Sequence, residues 1–146
     1  MDLSDEEIKR LEDAGFYHDI GKIALDENKI NNHTNLTEQE KKEIKQHSVV
    51  GYRILNLFDE TLNLAESVLA HHERWDGSGY PKGLKGKEIP KLARIIAVAE
   101  SYDSMTNEMN SNIISKEEAL ERIKSRAGIK FDPKVVDTFL NLMMEN

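Results

Sequence analysis

The chain has 146 residues, enough for one domain with a real core. Hydrophobic residues make up 38% and charged residues 32%, an ordinary folded composition, and a net charge of -7 gives no electrostatic basis for binding long nucleic acid. The absence of cysteine excludes disulfides and thiolate metal sites, no apolar run approaches the roughly 20 residues of a membrane span, and no signal-peptide pattern opens the chain, so the cytoplasm is the expected compartment.

The elements read as all-α. Ser4 and Glu7 have capping-box spacing and predict a first helix through about Leu11, interrupted at Gly15. Phe16 to Ile23 then carries His18, Asp19 and Lys22, and residues 24–36, rich in asparagine, read as a loop. Thr37 and Glu40 form a second capping box for a helix to about His47, which Val49, Val50, Ile54, Leu55 and Phe58 continue as an apolar stripe. A helix over about 60–73 turns Leu62, Ala65, Val68 and Leu69 inward and ends near His71 and His72. Asp76 to Pro90 holds Gly77, Gly79, Gly83 and Gly86, with two of the three prolines, and reads as a long ordered loop. Pro90 opens a helix over about 91–106, whose Leu92, Ile95, Ile96, Val98 and Ala99 make it the most buried. Ser115 and Glu118 cap a further helix ended by Gly128, and Asp132-Pro133 starts the last, carrying Val135, Val136, Phe139, Leu140 and Met143.

The five histidines are the main chemical clue. His18 precedes Asp19, His71 precedes His72, and His47 lies near a helix end, whereas His33 sits in a polar loop and reads as a solvated side chain. Imidazole nitrogen and carboxylate oxygen without sulfur suit Fe, Mn, Zn or Ni. Neighbours on a helix project about 100° apart, so adjacent ligands can serve two metals, and a pair about 3.5–4 Å apart stabilises the charge of phosphoryl transfer.

His18-Asp19-Ile20-Gly21-Lys22-Ile23 and His71-His72-Glu73-Arg74-Trp75-Asp76-Gly77-Ser78-Gly79-Tyr80-Pro81 resemble the paired signatures of the HD-GYP family. Leu36-Thr37…Glu40, His47…Gly51, Ile89-Pro90, Arg94 to Ala99 and Phe131-Asp132-Pro133 follow the same pattern in order and spacing. The resemblance spans about residues 4–143 and implies an HD-domain helical bundle with a long Gly/Pro-rich loop, a single domain over 1–146. It implies a metal-dependent phosphodiesterase acting on the bacterial messenger cyclic di-GMP or a related cyclic dinucleotide. His18, Asp19, His47, His71, His72 and Glu100 match its metal ligands, for two divalent transition ions, Fe or Mn. Asp19 bridges the metals, and Lys22 approaches the scissile phosphate. Arg74, Asp76, Gly79, Tyr80, Pro81 and Asp103 fall at the substrate and loop positions. In the family the Gly-Tyr-Pro loop borders the site and contacts signalling partners. Trp75 and Tyr80 either stack on a base or anchor the loop, and Arg74 either reaches a phosphate or pairs with Glu73 and Asp76.

Three positions depart from the family pattern. None of the 17 residues before His18 is the upstream histidine, so the chain reads as N-terminally incomplete, with at most six of the usual protein ligands. Glu100 stands for an aspartate. Glu108-Met109-Asn110-Ser111-Asn112 replaces an Arg-Pro-Tyr-Arg/Lys element whose cations grip phosphates. These departures point to a site intact in ligand type and eroded in substrate contacts. The alternative is a catalytically weakened module acting through ligand or partner binding.

Overall fold

The computed structural model describes residues 3–26, 36–107 and 113–145. Among the described residues seven α-helices run in chain order: α1 (Asp5–Tyr17), α2 (Glu38–Lys45), α3 (His47–Leu55), α4 (Leu62–Ala70), α5 (Lys91–Thr106), α6 (Lys116–Ser125) and α7 (Pro133–Glu145). Short 3-10 turns lie at Ile20–Ala24, Asp59–Thr61 and Gly86–Glu88. Among the described residues the only strand-like pairing is an isolated bridge between Ala127 and Phe131.

The predicted starts are found with their caps. Ser4 accepts from the Glu7 amide at 3.2 Å while Glu7 returns a bond to the Ser4 amide at 2.9 Å, and Thr37 and Glu40 repeat the arrangement at 3.2 and 2.8 Å. Ser115 caps α6, and the Asp132 carboxylate caps α7 by accepting from the Lys134 amide at 2.9 Å. Gly15 does not interrupt α1, which continues to Tyr17, since a glycine inside a helix costs only about 1 kcal/mol and Ala14 is fully buried beside it. The single helix expected to reach His47 divides at Gln46 into α2 and α3, so His47 begins a helix instead of ending one. Leu62 and Phe58, expected inward, are exposed, because α3 stops at Leu55 and the Asp59–Thr61 turn redirects the chain.

Among the described residues two large apolar clusters and a small one of Ala70, Ile89 and Ala93 hold the bundle. Ala14, Leu55, Leu64, Ala65, Val68 and Ile96 join α1, α3, α4 and α5, and Ala97, Val98, Ile123, Phe131, Val135 and Val136 join α5 to α6 and α7. α5 contributes to both, as its near-continuous apolar sequence requires. Arg94 Nη1 reaches Asp132 Oδ2 at 2.6 Å with both side chains largely buried, pinning the start of α5 to the start of α7.

Close contact between the Ile20–Ala24 turn and α3 positions the site. A Cβ at Gly21 would collide with the His47 carbonyl and lie 2.6 Å from the Gly51 amide. Gly51 is fitted in turn, its absent Cβ falling 3.1 Å from Val68 Cγ1. Two glycines facing each other let the backbone after His18 and Asp19 lie directly on the helix that begins with His47.

Candidate metal centre

Three helix ends converge here. His18 and His71 are the residues that terminate α1 and α4, and His47 follows the last turn of α2. Each turns its Nδ1 onto the carbonyl three residues back: His18 onto Gly15 and His47 onto Ile44, both at 2.6 Å, and His71 onto Val68 at 2.5 Å. Carbonyls in a last helical turn lack intrahelical partners, so an imidazole N–H satisfies one of them and is oriented by it. With Nδ1 donating, Nε2 of His47 and His71 is left as a bare lone pair aimed inward, while His18 Nε2 faces the Asp19 carboxylate. The negative ends of the α1 and α4 dipoles meet here and favour a cation, while His47 lies where α2 ends and α3 begins.

The lone pairs are crowded. His47 Nε2 lies 3.3 Å from His71 Nε2 and 3.1 Å from His72 Nε2, and one ligand atom from each of the three rings falls within 4.8 Å of the others. Asp19 adjoins this trio, with Oδ1 3.4 Å from His47 Nε2 and Oδ2 3.3 Å from His18 Nε2, and Oδ1 is buried with no hydrogen bond. Facing acceptors plus an orphaned carboxylate oxygen need a positive centre among them, which is the fit expected of a metal site. Glu100, on α5, stands at the edge, its Oε2 4.0 Å from His72 Nδ1. His18, Asp19, His47, His71, His72 and Glu100 are thus brought together, the three-histidine group most tightly. The adjacent ligands diverge because the helices end there: Asp19 and His72 lie past the last helical residues of α1 and α4, not one step along a helix.

Protonation follows from this geometry. Burial holds the His71 imidazole down at about 4 and His72 at about 2, and lowers His47 as well, so all three are neutral rings at pH 7. His18 is raised, first by its hydrogen bond with Asp19. Burial pushes the Asp19 carboxyl up, but hydrogen bonds from His18 and Lys22 outweigh it and keep Asp19 ionised. Burial raises Glu100. Lys22 Nζ pairs with Asp19 Oδ2 at 2.5 Å, which places the lysine at the rim of the histidine group.

Two cavities flank Glu100. The larger, about 550 Å³, is lined by His18, Asp19, Lys22, Glu100 and Asp103, with an apolar wall that includes Leu11, Ile95, Ile96 and Ala99. Ala99, expected in the core, faces this space. The smaller, about 370 Å³, opens on the loop side beside His71, His72, Arg74, Gly79 and Tyr80. Tyr80 stacks on His72 with ring centroids 4.9 Å apart and turns inward, while Pro81, joined to it by a cis peptide, is exposed. Trp75 lines neither cavity.

The loop owes its path to Glu73, which the sequence offered only as a partner for Arg74. Glu73, 3% exposed, accepts from the Lys82 and Gly83 amides at 2.7 and 3.0 Å and from Leu84 at 3.1 Å. Arg74 therefore does not pair with Glu73; it bonds Ser78 Oγ at 2.7 Å and lies 3.4 Å from Asp76. Asp76 in turn accepts from the Ser78 hydroxyl and amide, which hold its carboxyl down at about 2. Gly79 is required for close approach, since a Cβ there would run into the Arg74 amide and lie 2.5 Å from Glu73 Cα. The sequence signal for Glu73 was its place directly after the histidine pair; its partners nine to eleven residues away were not readable. His33 and the Glu108–Asn112 substitution lie outside the described residues.

A helical bundle carrying a buried His/Asp cluster at converging helix ends defines a metal-binding HD-type domain. The HD domain family model matches residues 1–135, and the chain belongs to that family, with the HD-GYP signatures in place. It is 42% identical over 148 residues to a cyclic di-GMP phosphodiesterase of Thermotoga maritima, covering 99% of this chain and 40% of that protein. It is 37% identical over 143 residues to the cyclic di-GMP phosphodiesterase response regulator RpfG of Xanthomonas campestris, covering 96% and 38%. A 3'3'-cGAMP-specific phosphodiesterase of Vibrio cholerae matches at 33% over 141 residues, covering 94% and 27%. The chain thus spans about two fifths or less of these relatives. The fold is that of the V. cholerae cyclic GMP-AMP phosphodiesterase V-cGAP3 (TM-score 0.77, 23% identity, 98% of this chain and 40% of that one). The Bdellovibrio bacteriovorus protein Bd1817 is also similar (TM-score 0.74, 21% identity, 98% and 46%). No helix among the described residues is long and apolar enough to cross a membrane.

Proposed function

We propose that residues 1–146 form a single phosphodiesterase domain that opens cyclic di-GMP or a related cyclic dinucleotide. The observation that carries this reading is the meeting of three imidazole Nε2 atoms with the orphaned Asp19 Oδ1, beside cavities that Asp19, His71 and His72 help to line. His18, Asp19, His47, His71, His72 and Glu100 would hold two divalent transition ions, Fe or Mn, in keeping with an all-nitrogen-and-oxygen donor set. Bound there, such ions supply Lewis acidity toward phosphoryl oxygens and lower the pKa of water. Asp19, kept ionised by His18 and Lys22, would offer these ions its carboxylate. Lys22, paired with Asp19, exchanges that bond for the substrate's phosphoryl oxygen and offsets the charge that develops in the transition state. Water adds to phosphorus, the P–O3' bond breaks, and the 3' oxygen leaves with a proton as a hydroxyl. Asp103 borders the larger cavity, and Arg74, Asp76, Gly79, Tyr80 and Pro81 shape the loop side of the smaller one.

Both cyclic di-GMP and 3'3'-cGAMP appear in the names of relatives, so the test presents both. Chain purified without oxygen or chelator should carry about two equivalents of Fe or Mn and convert at least one of the two to a linear product. Near-zero metal in folded protein, or metal-loaded protein inert toward both, refutes the reading. A signalling partner docking on the Gly-Tyr-Pro loop has less behind it, because Tyr80 is occupied with His72.

A further inference from the structure

The cations missing from the Glu108–Asn112 segment have counterparts that the fold draws from elsewhere. Lys45 at the end of α2, Arg74 in the loop and Lys130 between α6 and α7 all line the 370 Å³ cavity beside His72. Lys45 Nζ lies 5.1 Å from the centroid of Tyr80, the ring stacked on His72. Arg74 is held by Ser78. Lys130 Nζ donates to Ser101 Oγ at 2.8 Å, one residue along α5 from Glu100.

Two of the three acids that face these groups are already engaged. Glu73 accepts from three loop amides, Asp76 is bonded to Ser78 and Arg74, and Glu100 stands 4.0 Å from His72 on the metal side. Burial lowers the Lys130 ammonium, Glu100 opposes that, and the charges of Arg74 and Arg126 add to it. A half-buried lysine among two guanidinium groups is costly unless an anion joins them. In a chain of net charge -7 that concentration of positive charge is a local feature, not an average one.

A cyclic dinucleotide carries two phosphodiesters, of which one reacts at a time. We propose that the cavity bounded by Lys45, Arg74 and Lys130 holds the non-reacting phosphodiester while the other lies at the histidine cluster. The proposal rests on the cyclic-dinucleotide reading above. It makes two-phosphate ligands the preferred class, because a ligand with one phosphate fills only one of the two positions.

Binding of a hydrolysis-resistant bis-phosphorothioate analogue of cyclic di-GMP, and of GMP, is measured by calorimetry on metal-loaded wild type, Lys130→Gln and Lys130→Arg. Lys130→Gln should weaken the two-phosphate analogue about tenfold, the equivalent of about 1.4 kcal/mol, and GMP several-fold less. Lys130→Arg, which keeps the charge, should stay within about threefold of wild type. Equal affinity in Lys130→Gln, equal loss for both ligands, an arginine variant as weak as the glutamine one, or no binding by wild type each overturns the proposal. If Lys130→Gln fails to fold, Lys45→Gln, at an exposed position, is read by the same criteria. Wild type that shows the expected pattern yet leaves cyclic di-GMP and 3'3'-cGAMP uncut sinks the phosphodiesterase reading and leaves this anion site standing.

Discussion

Asp19 serves three neighbours with two oxygens. Oδ2 takes Lys22 and His18, and Oδ1 points unpartnered at His47. Asp19→Ala should therefore lower bound metal and reduce phosphodiester turnover by at least about 100-fold, while the helical signal in circular dichroism persists. Unchanged turnover would exclude a metal-assisted mechanism built on this carboxylate. Glu100 behaves differently. Burial raises its carboxyl, so its ionised form at pH 7 is a cost that only a nearby cation offsets. In Glu100→Gln the metal-free chain should resist urea as well as wild type or better, while metal affinity falls about tenfold or more. A variant destabilised without metal and undiminished in metal affinity would contradict that assignment.

At the scale of elements, the centre depends on two close approaches. The turn that follows His18 and Asp19 reaches α3 only because Gly21 and Gly51 lack side chains. Gly21→Ala puts a methyl group against backbone atoms that have nowhere to move, and should cost at least about 1–3 kcal/mol with loss of metal content. Gly51→Ala meets the end of the Val68 side chain at 3.1 Å and should cost less. Equal effects from the two would show that the contact is more pliable than its geometry implies. The second approach is the loop after His72, held by Glu73. Glu73→Gln keeps the shape but removes an acceptor oxygen from three amide bonds, with an expected loss of about 1–3 kcal/mol and increased proteolysis between Asp76 and Pro90. The capping boxes at Ser4 and Thr37 were readable from composition at fixed offsets because a cap is a local contact. The division at Gln46 was not, because it is made by packing α3 against the turn that carries Gly21.

For the whole molecule, the buried histidines tie stability to pH. His71 falls from an ordinary 6.5 to about 4, so it contributes stability that is fully present above 6.5 and is lost as pH drops toward 4. His47 and His72 act in the same direction, and His18, being raised, in the opposite one. Three histidines against His18, with the raised Glu100 also opposing them, predict that the metal-free chain loses stability between pH 7 and pH 5 in urea titrations. Metal at 100 times its dissociation constant should add about 2.7 kcal/mol at pH 7. A metal-free chain that gains stability on acidification would show that the histidines are not buried as neutral rings.

The sequence by itself determined the all-helical class, the helix starts at Ser4, Thr37, Ser115 and Asp132, and the residue types able to hold a metal. Each of these is written in residues a few positions apart, where a cap or a His-Asp pair acts through local backbone geometry. Only the tertiary structure decided that Nε2 of His47, His71 and His72 share one point, that Glu73 organises the loop and that Ala99 faces a cavity. It also placed Lys45, Arg74 and Lys130 around one cavity. Those relations join side chains from separate helices and loops, and their distances follow from how the helices pack against one another, which no local spacing encodes.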